Sequence, residues 1–166
     1  MALIRPARAE DLPLLPAIEI EADRLYATVG LDVVLGMQPA SLARLRQGPV
    51  WVARDAADRS IGFALAGVLD GQGFLDQLSV LPAHGRRGVG AALLAAVLSW
   101  ATAQGFPALL LTTYRDPPWN APFYAKHGFA PLPPEHWSRG VRELVARETA
   151  LGHPPERRTV MRRELR

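Results

Sequence analysis

Residues 78–94 read LSVLPAHGRRGVGAALL. This stretch begins with an apolar run typical of a strand, passes through a turn rich in glycine and arginine, and continues into alanines and leucines typical of a buried helix. A helix start presents backbone N–H groups and the positive end of the helix dipole to an anion, and glycine lets the backbone approach that anion closely. The turn therefore predicts a phosphate site, with a tight turn before a core helix as the alternative.

Two other classes of glycine-rich phosphate site fit this turn poorly. A dinucleotide-binding turn requires a third small residue, and Leu93 stands in that position. A P-loop ends in Gly-Lys followed by Ser or Thr, and the turn lacks this ending. The phosphate site predicted by the turn therefore belongs to neither class.

Length and composition indicate one domain over residues 1–166, because 166 residues that are 49% hydrophobic can bury a proper core. The absence of cysteine excludes disulfides, thiolate metal sites and a cysteine nucleophile. The first eight residues lack the apolar core of a signal peptide, and no run approaches the roughly 20 apolar residues of a membrane span. We therefore expect a cytoplasmic protein that does not bind membranes.

The charge balance gives a mild preference for anionic ligands. The formal net charge is +3 and the isoelectric point is about 9.9. Nucleic-acid binding requires clustered basic stripes or interleaved aromatic residues, so we expect no nucleic-acid partner, although the isoelectric point keeps that class as a weak alternative. The four histidines are scattered without a helical pair, so no metal site is expected.

The order of strand-like and helix-like segments predicts an α/β fold with a mixed sheet of about seven strands. The predicted strands are residues 2–5, 50–54, 61–69, 74–80, 108–113, 129–132 and 159–165. The predicted helices are residues 9–26, 39–45, 89–104, 119–127 and 134–151. Strands 74–80 and 108–113 flank a helix, which predicts a parallel pair with a right-handed crossover.

A second polar and aromatic motif lies at residues 120–129, which read NAPFYAKHGF. The spacing predicts a short helix that is stopped by Gly128. On such a helix Asn120, Tyr124 and His127 share one face, because they stand three or four positions apart.

Residues 80–90 and 120–129 together resemble the two signature segments of the Gcn5-related N-acetyltransferase (GNAT) superfamily. The order of elements is similar over nearly the whole chain. The resemblance implies a GNAT-like fold, splayed at the strand that precedes the cofactor-binding helix. The family usually has Arg or Gln where this chain has Gly85. It is therefore open whether Arg86 takes over that phosphate contact or the backbone amides suffice.

The resemblance also implies a cofactor site for acetyl-CoA as co-substrate, without a metal. In the family the first segment binds the pyrophosphate, and the second supplies a tyrosine and an asparagine to the cofactor cleft. A splayed strand would offer its backbone N–H groups to the oxyanion and to the pantetheine arm. The implied residues are Leu78, Val80, Gly85, Arg86, Arg87, Gly88, Val89, Gly90, Ala91, Asn120 and Tyr124.

The reaction implied by the resemblance is direct attack of an amine on the thioester, without a covalent enzyme intermediate, which suits a chain that lacks cysteine. Tyr124 is the expected general acid for the departing CoA thiolate. A phenol of pKa about 10 and a thiol of about 8.5 can share a proton without a large penalty. The alternative for Tyr124 is an aromatic core residue.

The base for the amine proton is expected to be Asp76, on the strand before the cofactor segment, or a carboxylate of the first helix. A solvated strand carboxylate and a water chain are the alternatives for this proton. Residues expected near the acceptor are Glu19, Glu21, Asp23, Tyr26 and Trp119, with Trp137 as a further aromatic that either lines the pocket or packs in the core.

The identity of the acceptor is open at this stage. A small amine, an amino acid, an aminoglycoside-type antibiotic and a protein N-terminus or lysine all fit. Family members often dimerise, which favours a homodimer. The competing class of function is a CoA-binding or acyl-CoA-binding regulatory module without turnover, because the predicted binding segment has stronger support than the predicted base.

Overall fold

In a computed structural model, which describes residues 2–165, strands and helices follow the predicted α/β order. The seven strands are β1 (Leu3–Pro6), β2 (Val50–Arg54), β3 (Ser60–Leu69), β4 (Gln72–Val80), β5 (Ala108–Tyr114), β6 (Ala130–Pro131) and β7 (Arg158–Glu164). The α-helices are α1 (Leu15–Asp23), α2 (Leu42–Gln47), α3 (Val89–Ala103), α4 (Ala121–Lys126) and α5 (Arg139–Ala150). The predicted fold class is confirmed.

The sheet is mixed and has the order β1-β2-β3-β4-β5-β7-β6. β4 and β5 run parallel, as predicted from the helix between them, whereas β5 and β6 both pair antiparallel with β7. The residue pairs between β4 and β5 are Gly73 with Leu109 and Phe74 with Leu110. The predicted splay of β4 beyond these pairs stays a prediction.

The chain divides into two compact units, and the prediction of a single domain over residues 1–166 stays a prediction. The first unit extends to Gly67 and includes Leu75–Trp100. The second comprises Val68–Phe74 and the chain from Ala101 onward. In the second unit Leu110, Val141 and Val160 form a core against which side chains such as Trp137 pack.

In the first unit the core joins both N-terminal helices to the sheet. Leu15 and Ile18 of α1 pack with Leu45 of α2 and with Val52 and Phe63 of the strands. Burial of large apolar side chains is the main favourable term in folding, at about 1.5–3 kcal/mol for each fully buried side chain. This packing sets the rotation of α1 about its axis and therefore the direction in which its polar side chains point.

The prediction of one continuous helix over residues 9–26 is wrong. A 3-10 turn at Leu12–Leu14 precedes α1, and a second 3-10 segment at Arg24–Val29 follows it. Pro13 and Pro16 each stand in a first helical turn, where the missing proline N–H is tolerated, and inside one long helix each would remove a hydrogen bond. The two prolines therefore account for the break between the first 3-10 turn and α1.

Two other predicted helices begin at later residues in the structure, each directly after a serine that caps it. Ser41 caps α2 by accepting from Arg44 N at 3.1 Å, so this helix covers Leu42–Gln47 instead of residues 39–45. The predicted helix 134–151 begins later, because Ser138 caps α5 and residues 134–136 form a 3-10 turn. Within residues 2–165 no helix has the length and apolar character required to span a membrane.

Candidate active site

The glycine and arginine turn leads directly into α3. The first hydrogen bond of this helix runs from Ala92 N to Gly88 O at 3.0 Å. Within the described chain the N–H groups of residues 88–91 therefore donate to no acceptor. Gly88 is exposed, and a Cβ atom built on it would meet nothing within 4 Å, so open space lies beside the start of this row of amides. The arrangement fits an anion such as a phosphate group.

The backbone of the turn adopts the left-handed conformation at two positions. Arg86 has a φ of 60° and Gly88 a φ of 81°. This region is unfavourable for a residue with a Cβ atom, and strained residues of this kind concentrate at functional sites. Arg86 and Arg87 are exposed, and neither guanidinium has a partner among residues 2–165. Both remain candidates for the phosphate contact.

Gly85 occupies the position where the resemblance leads one to expect a polar side chain. A Cβ atom on Gly85 would lie 3.2 Å from the carbonyl oxygen of Pro82, which is closer than an ordinary van der Waals contact. A larger residue would therefore require the preceding 3-10 turn at Pro82–His84 to shift. The geometry accounts for a glycine at this position.

The strand residues before the turn are partly buried. Leu78 and Val80 flank the buried Ser79, whose hydroxyl accepts a hydrogen bond from Gln77 Nε2 at 2.9 Å. The backbone comes very close to β3 here, since a Cβ atom on Gly62 would lie 2.9 Å from the carbonyl oxygen of Ser79. That Leu78 and Val80 supply N–H groups to an oxyanion stays a prediction.

Two acids predicted for the acceptor site, Glu19 and Asp23, come together in the first unit with Asp76, the expected base. Glu19 and Asp23 stand one turn apart on α1, and the charge of each affects its neighbours: Glu19 raises the pKa of Asp23, and Asp76 raises that of Glu19. Glu19 is buried and accepts a hydrogen bond from Ala40 N at 2.9 Å. We call Glu19, Asp23 and Asp76 the acidic cluster.

Arg44 of α2 is the cation of the acidic cluster. Its Nε donates to Asp76 Oδ2 at 2.8 Å, and its Nη2 donates to Asp76 Oδ1, so the pair is held at two points. Sequence analysis gave Arg44 no role. The two residues stand 32 positions apart on different elements, so no local spacing could have revealed the pair.

Burial makes the two α1 carboxylates hard to ionise. It raises the pKa of Glu19, and the Ala40 hydrogen bond and the charge of Arg44 offset part of that rise. Burial, followed by repulsion from Glu19, raises the pKa of Asp23 to about 7. Asp23 therefore exchanges a proton near neutral pH, which is the property that a general base requires.

The raised pKa of Asp23 predicts a change in stability with pH. Folded Asp23 keeps its proton up to pH about 7, whereas an unfolded Asp loses it near 3.9. Between these values the folded state binds more protons, so the free energy of unfolding falls as the pH rises. We expect Asp23→Asn to raise that free energy by about 1–3 kcal/mol at pH 8 and to change it little at pH 4.

Urea unfolding at the two pH values measures this difference. Asp32→Asn is a matched control, because Asp32 is an exposed carboxylate in the same N-terminal part of the first unit. A gain of equal size at pH 4 and pH 8 would contradict the prediction.

Two other residues predicted for the acceptor site, Glu21 of α1 and Tyr26 of the 3-10 segment after it, are not assigned to the acidic cluster. Glu21 instead pairs with Arg24 at 3.1 Å, and both side chains are largely exposed. Tyr26 is half-buried in the 3-10 segment, where its carbonyl accepts from Leu31 N at 3.0 Å. Their role at the acceptor site stays a prediction.

The second motif folds as predicted into a short helix of the second unit. Tyr124 of α4 is buried, and its N–H donates to the carbonyl oxygen of Asn120 at 3.0 Å. The ring of Tyr124 makes edge contacts with Phe123 and Phe129, at centroid distances of 5.1 and 5.7 Å. Asn120 is also buried, and Trp119 beside it is partly buried. Aromatic packing therefore fixes the position of Tyr124 on α4.

Comparison with known proteins adds a family model and several solved structures. The model of the acetyltransferase (GNAT) domain matches residues 46–131. An acetyltransferase of the GNAT family from Staphylococcus aureus Mu50 is 14% identical, with a TM-score of 0.72 and 100% of both chains covered. PaiA N-acetyltransferase from Thermoplasma acidophilum, solved in complex with coenzyme A, is 17% identical, with a TM-score of 0.68 and 99% of both chains covered.

A third similar structure is larger than this chain. N-acetylglutamate synthase from Neisseria gonorrhoeae, solved with coenzyme A and N-acetyl-glutamate, is 19% identical with a TM-score of 0.73. The match covers 100% of this chain and 35% of the synthase. At these identities the likeness to the three structures concerns the fold.

Proposed function

The chain belongs to the acetyltransferase (GNAT) domain family, and from this premise we propose that it transfers the acetyl group of acetyl-CoA to a primary amine. The amine nitrogen attacks the thioester carbonyl, a C–N bond forms and the C–S bond breaks. The nitrogen gives up one proton and the departing thiolate takes one up. The observation that carries the proposal is the row of amides at residues 88–91, which have no acceptor in the described chain and which begin beside open space at Gly88.

Acetyl-CoA is the co-substrate that these amides suit. Its pyrophosphate is an anion that a helix start binds through N–H groups, and Arg86 and Arg87 add positive charge beside them. Two of the similar structures, the PaiA acetyltransferase and the N-acetylglutamate synthase, were solved with coenzyme A. Gly85, Val89, Gly90 and Ala91 complete the proposed pyrophosphate contact.

For the acyl end of the co-substrate we propose the roles inferred from the motifs. Backbone N–H groups of Leu78 and Val80 stabilise the oxyanion that develops on the thioester carbonyl. Tyr124 protonates the CoA thiolate, and Asn120 binds the pantetheine arm. The position of Tyr124 in an aromatic cluster supports this role, because a fixed general acid loses little entropy on reaction.

For the amine proton we propose the acidic cluster, and within it Asp23 as the base. Arg44 engages both oxygens of Asp76, so proton transfer to Asp76 would require this pair to open first. Asp23 has a pKa of about 7 and therefore accepts a proton near neutral pH. A cytoplasmic location and a homodimer remain predictions.

A thiol-release screen tests the proposed function. Purified protein is mixed with acetyl-CoA and a library of amines, and free CoA thiol is measured against time. The library contains polyamines, amino acids, aminoglycosides and peptides with free N-termini. Release that depends on one class of amine identifies the acceptor. If acetyl-CoA binds and no amine accelerates release, the proposal of an N-acetyltransferase fails.

The two candidate bases lead to different pH dependences of kcat/KM in the variants. We expect kcat/KM of the wild-type protein to rise with pH and to bend near 7, where Asp23 ionises. Asp23→Asn should lower kcat/KM about 100-fold and remove the bend. Asp76→Asn, as the matched carboxylate variant, should keep it. If Asp76→Asn removes the bend and Asp23→Asn keeps it, Asp76 is the base.

A further inference from the structure

A cavity of about 380 Å³ lies within the second unit. Its lining comes from β5, β6, β7 and α5 and from the loops around them. Apart from Trp137, which sequence analysis gave either to the acceptor pocket or to the core, none of the residues proposed for acetyl-CoA or for the acceptor lines this cavity. The volume falls in the range of small-molecule sites, roughly 300–1,000 Å³.

Most of the cavity wall is apolar. Leu132, Pro133, Trp137 and Val145 contribute to it. The indole N–H of Trp137 donates to the carbonyl oxygen of Leu132 at 2.8 Å, so its hydrogen-bonding capacity is used within the protein. The indole therefore offers apolar surface to an occupant.

Charged groups also line the cavity, and hydrogen bonds connect two of them. Arg158 Nη2 donates to Glu148 Oε1 at 3.1 Å and to Thr112 Oγ1 at 3.0 Å, and Thr112 Oγ1 donates to Glu148 Oε2 at 2.7 Å. The guanidinium of Arg158 also lies 4.5 Å from the ring centre of Tyr114. Its Nε is buried and has no acceptor within residues 2–165. The single carboxylate of Glu148 is thus fully engaged by Arg158 and Thr112.

Arg115 is the second arginine of the lining, and its guanidinium has no partner within the described part of the chain. A hydrogen bond from Arg115 N to Arg157 O at 2.8 Å holds its backbone, and its side chain is exposed. His153, which also lines the cavity, is neutral at physiological pH, because burial and the charge of Arg158 lower its pKa to about 4. The lining therefore holds two arginines against one carboxylate, and one positive charge is not balanced.

We infer that this cavity binds a small monocarboxylate with an aromatic or branched apolar body. The carboxylate supplies the missing negative charge opposite Arg115, in the planar geometry that guanidinium groups pair with well. The body packs on Trp137 and Val145. An amine of the same shape meets the unbalanced positive charge, and a neutral analogue leaves it unpaired. The inference is independent of acetyl transfer, because it rests on residues that the proposed reaction does not use.

Isothermal titration calorimetry of the full chain without acetyl-CoA tests the inference. The probes are phenylacetate, its neutral analogue phenylacetamide and its cationic analogue phenethylamine. Arg115→Gln removes the unbalanced charge. Arg139→Gln is the matched control, because Arg139 on α5 is exposed, pairs with Glu143 and does not line the cavity.

We expect phenylacetate to bind with a Kd on the order of 0.1–1 mM, and phenylacetamide and phenethylamine to bind at least about tenfold more weakly. Arg115→Gln should weaken phenylacetate about tenfold, whereas Arg139→Gln should change its Kd less than about twofold. Glu148→Gln should instead tighten it, because a second arginine then lacks a counter-charge.

Three results would overturn the inference. They are no saturable heat up to about 10 mM phenylacetate, equal affinity for the three probes, and an equal effect of Arg115→Gln and Arg139→Gln. None of these results bears on thiol release from acetyl-CoA, so failure of this inference and failure of the proposed acetyl transfer are distinguishable.

Discussion

Gly88→Leu is expected to abolish acetyl-CoA binding, whereas Gly105→Leu should leave it intact. The two glycines stand at opposite ends of α3 and have nearly the same backbone conformation, with φ values of 81° and 78°. A Cβ atom at either position meets nothing within 4 Å. A leucine therefore causes similar backbone strain at both sites, about 1–2 kcal/mol. Only at Gly88 does the side chain occupy the space beside the N–H groups of residues 88–91.

Calorimetry with coenzyme A measures the binding effect, and urea unfolding measures the strain. We expect both variants to lose free energy of unfolding to a similar degree. We also expect the Kd for coenzyme A to rise at least about 100-fold for Gly88→Leu and to stay near the wild-type value for Gly105→Leu. This pairing separates loss of the site from loss of stability.

Retained affinity in a folded Gly88→Leu protein would remove the turn from the cofactor site. An equal loss of affinity in both variants would mean that strain in α3, and not occupation of the turn, is responsible. In either case the proposed location of the pyrophosphate would be wrong.

The turn was predictable because its signal is local. A strand, a glycine-rich turn and a helix follow one another without interruption in residues 78–94. The helix that carries Tyr124 also has a local signal, because Gly128 stands just after its end. Glycine and proline fix backbone conformations through their own covalent structure, so their consequences can be inferred from neighbouring residues. The boundaries of β2 and the start of α3 were correct for this reason.

The features that sequence analysis missed depend on contacts between distant residues. The Arg44–Asp76 pair and the Arg158–Glu148 pair join residues on different elements, and neither has a sequence motif. The predicted long first helix failed differently, because apolar spacing favoured one helix while Pro13 and Pro16 divide it. Sequence analysis could therefore not show that Asp76, the expected base, is paired with Arg44.

Tyr124→Phe is expected to lower kcat about 100-fold or more while leaving the Kd for coenzyme A unchanged. Phenylalanine can keep the ring contacts with Phe123 and Phe129 and lacks the hydroxyl group. The thiolate must then leave without a proton donor. The wild type loses the same proton donor as the pH rises toward the pKa of a phenol, about 10, so the defect should shrink there. A loss of ring packing alone would not produce this pH dependence.

Tyr114→Phe is the matched control for this prediction, since Tyr114 is the other buried tyrosine of the second unit and its hydroxyl bonds to His153 Nδ1. We expect Tyr114→Phe to lower the free energy of unfolding by about 1 kcal/mol and to leave kcat unchanged. An unchanged kcat in Tyr124→Phe would exclude Tyr124 as the general acid. If neither the wild type nor Tyr124→Phe releases thiol with any amine, although both bind coenzyme A, the chain is a binding module. The hydroxyl of Tyr124 is therefore the group whose removal distinguishes an acetyltransferase from a protein that only holds its cofactor.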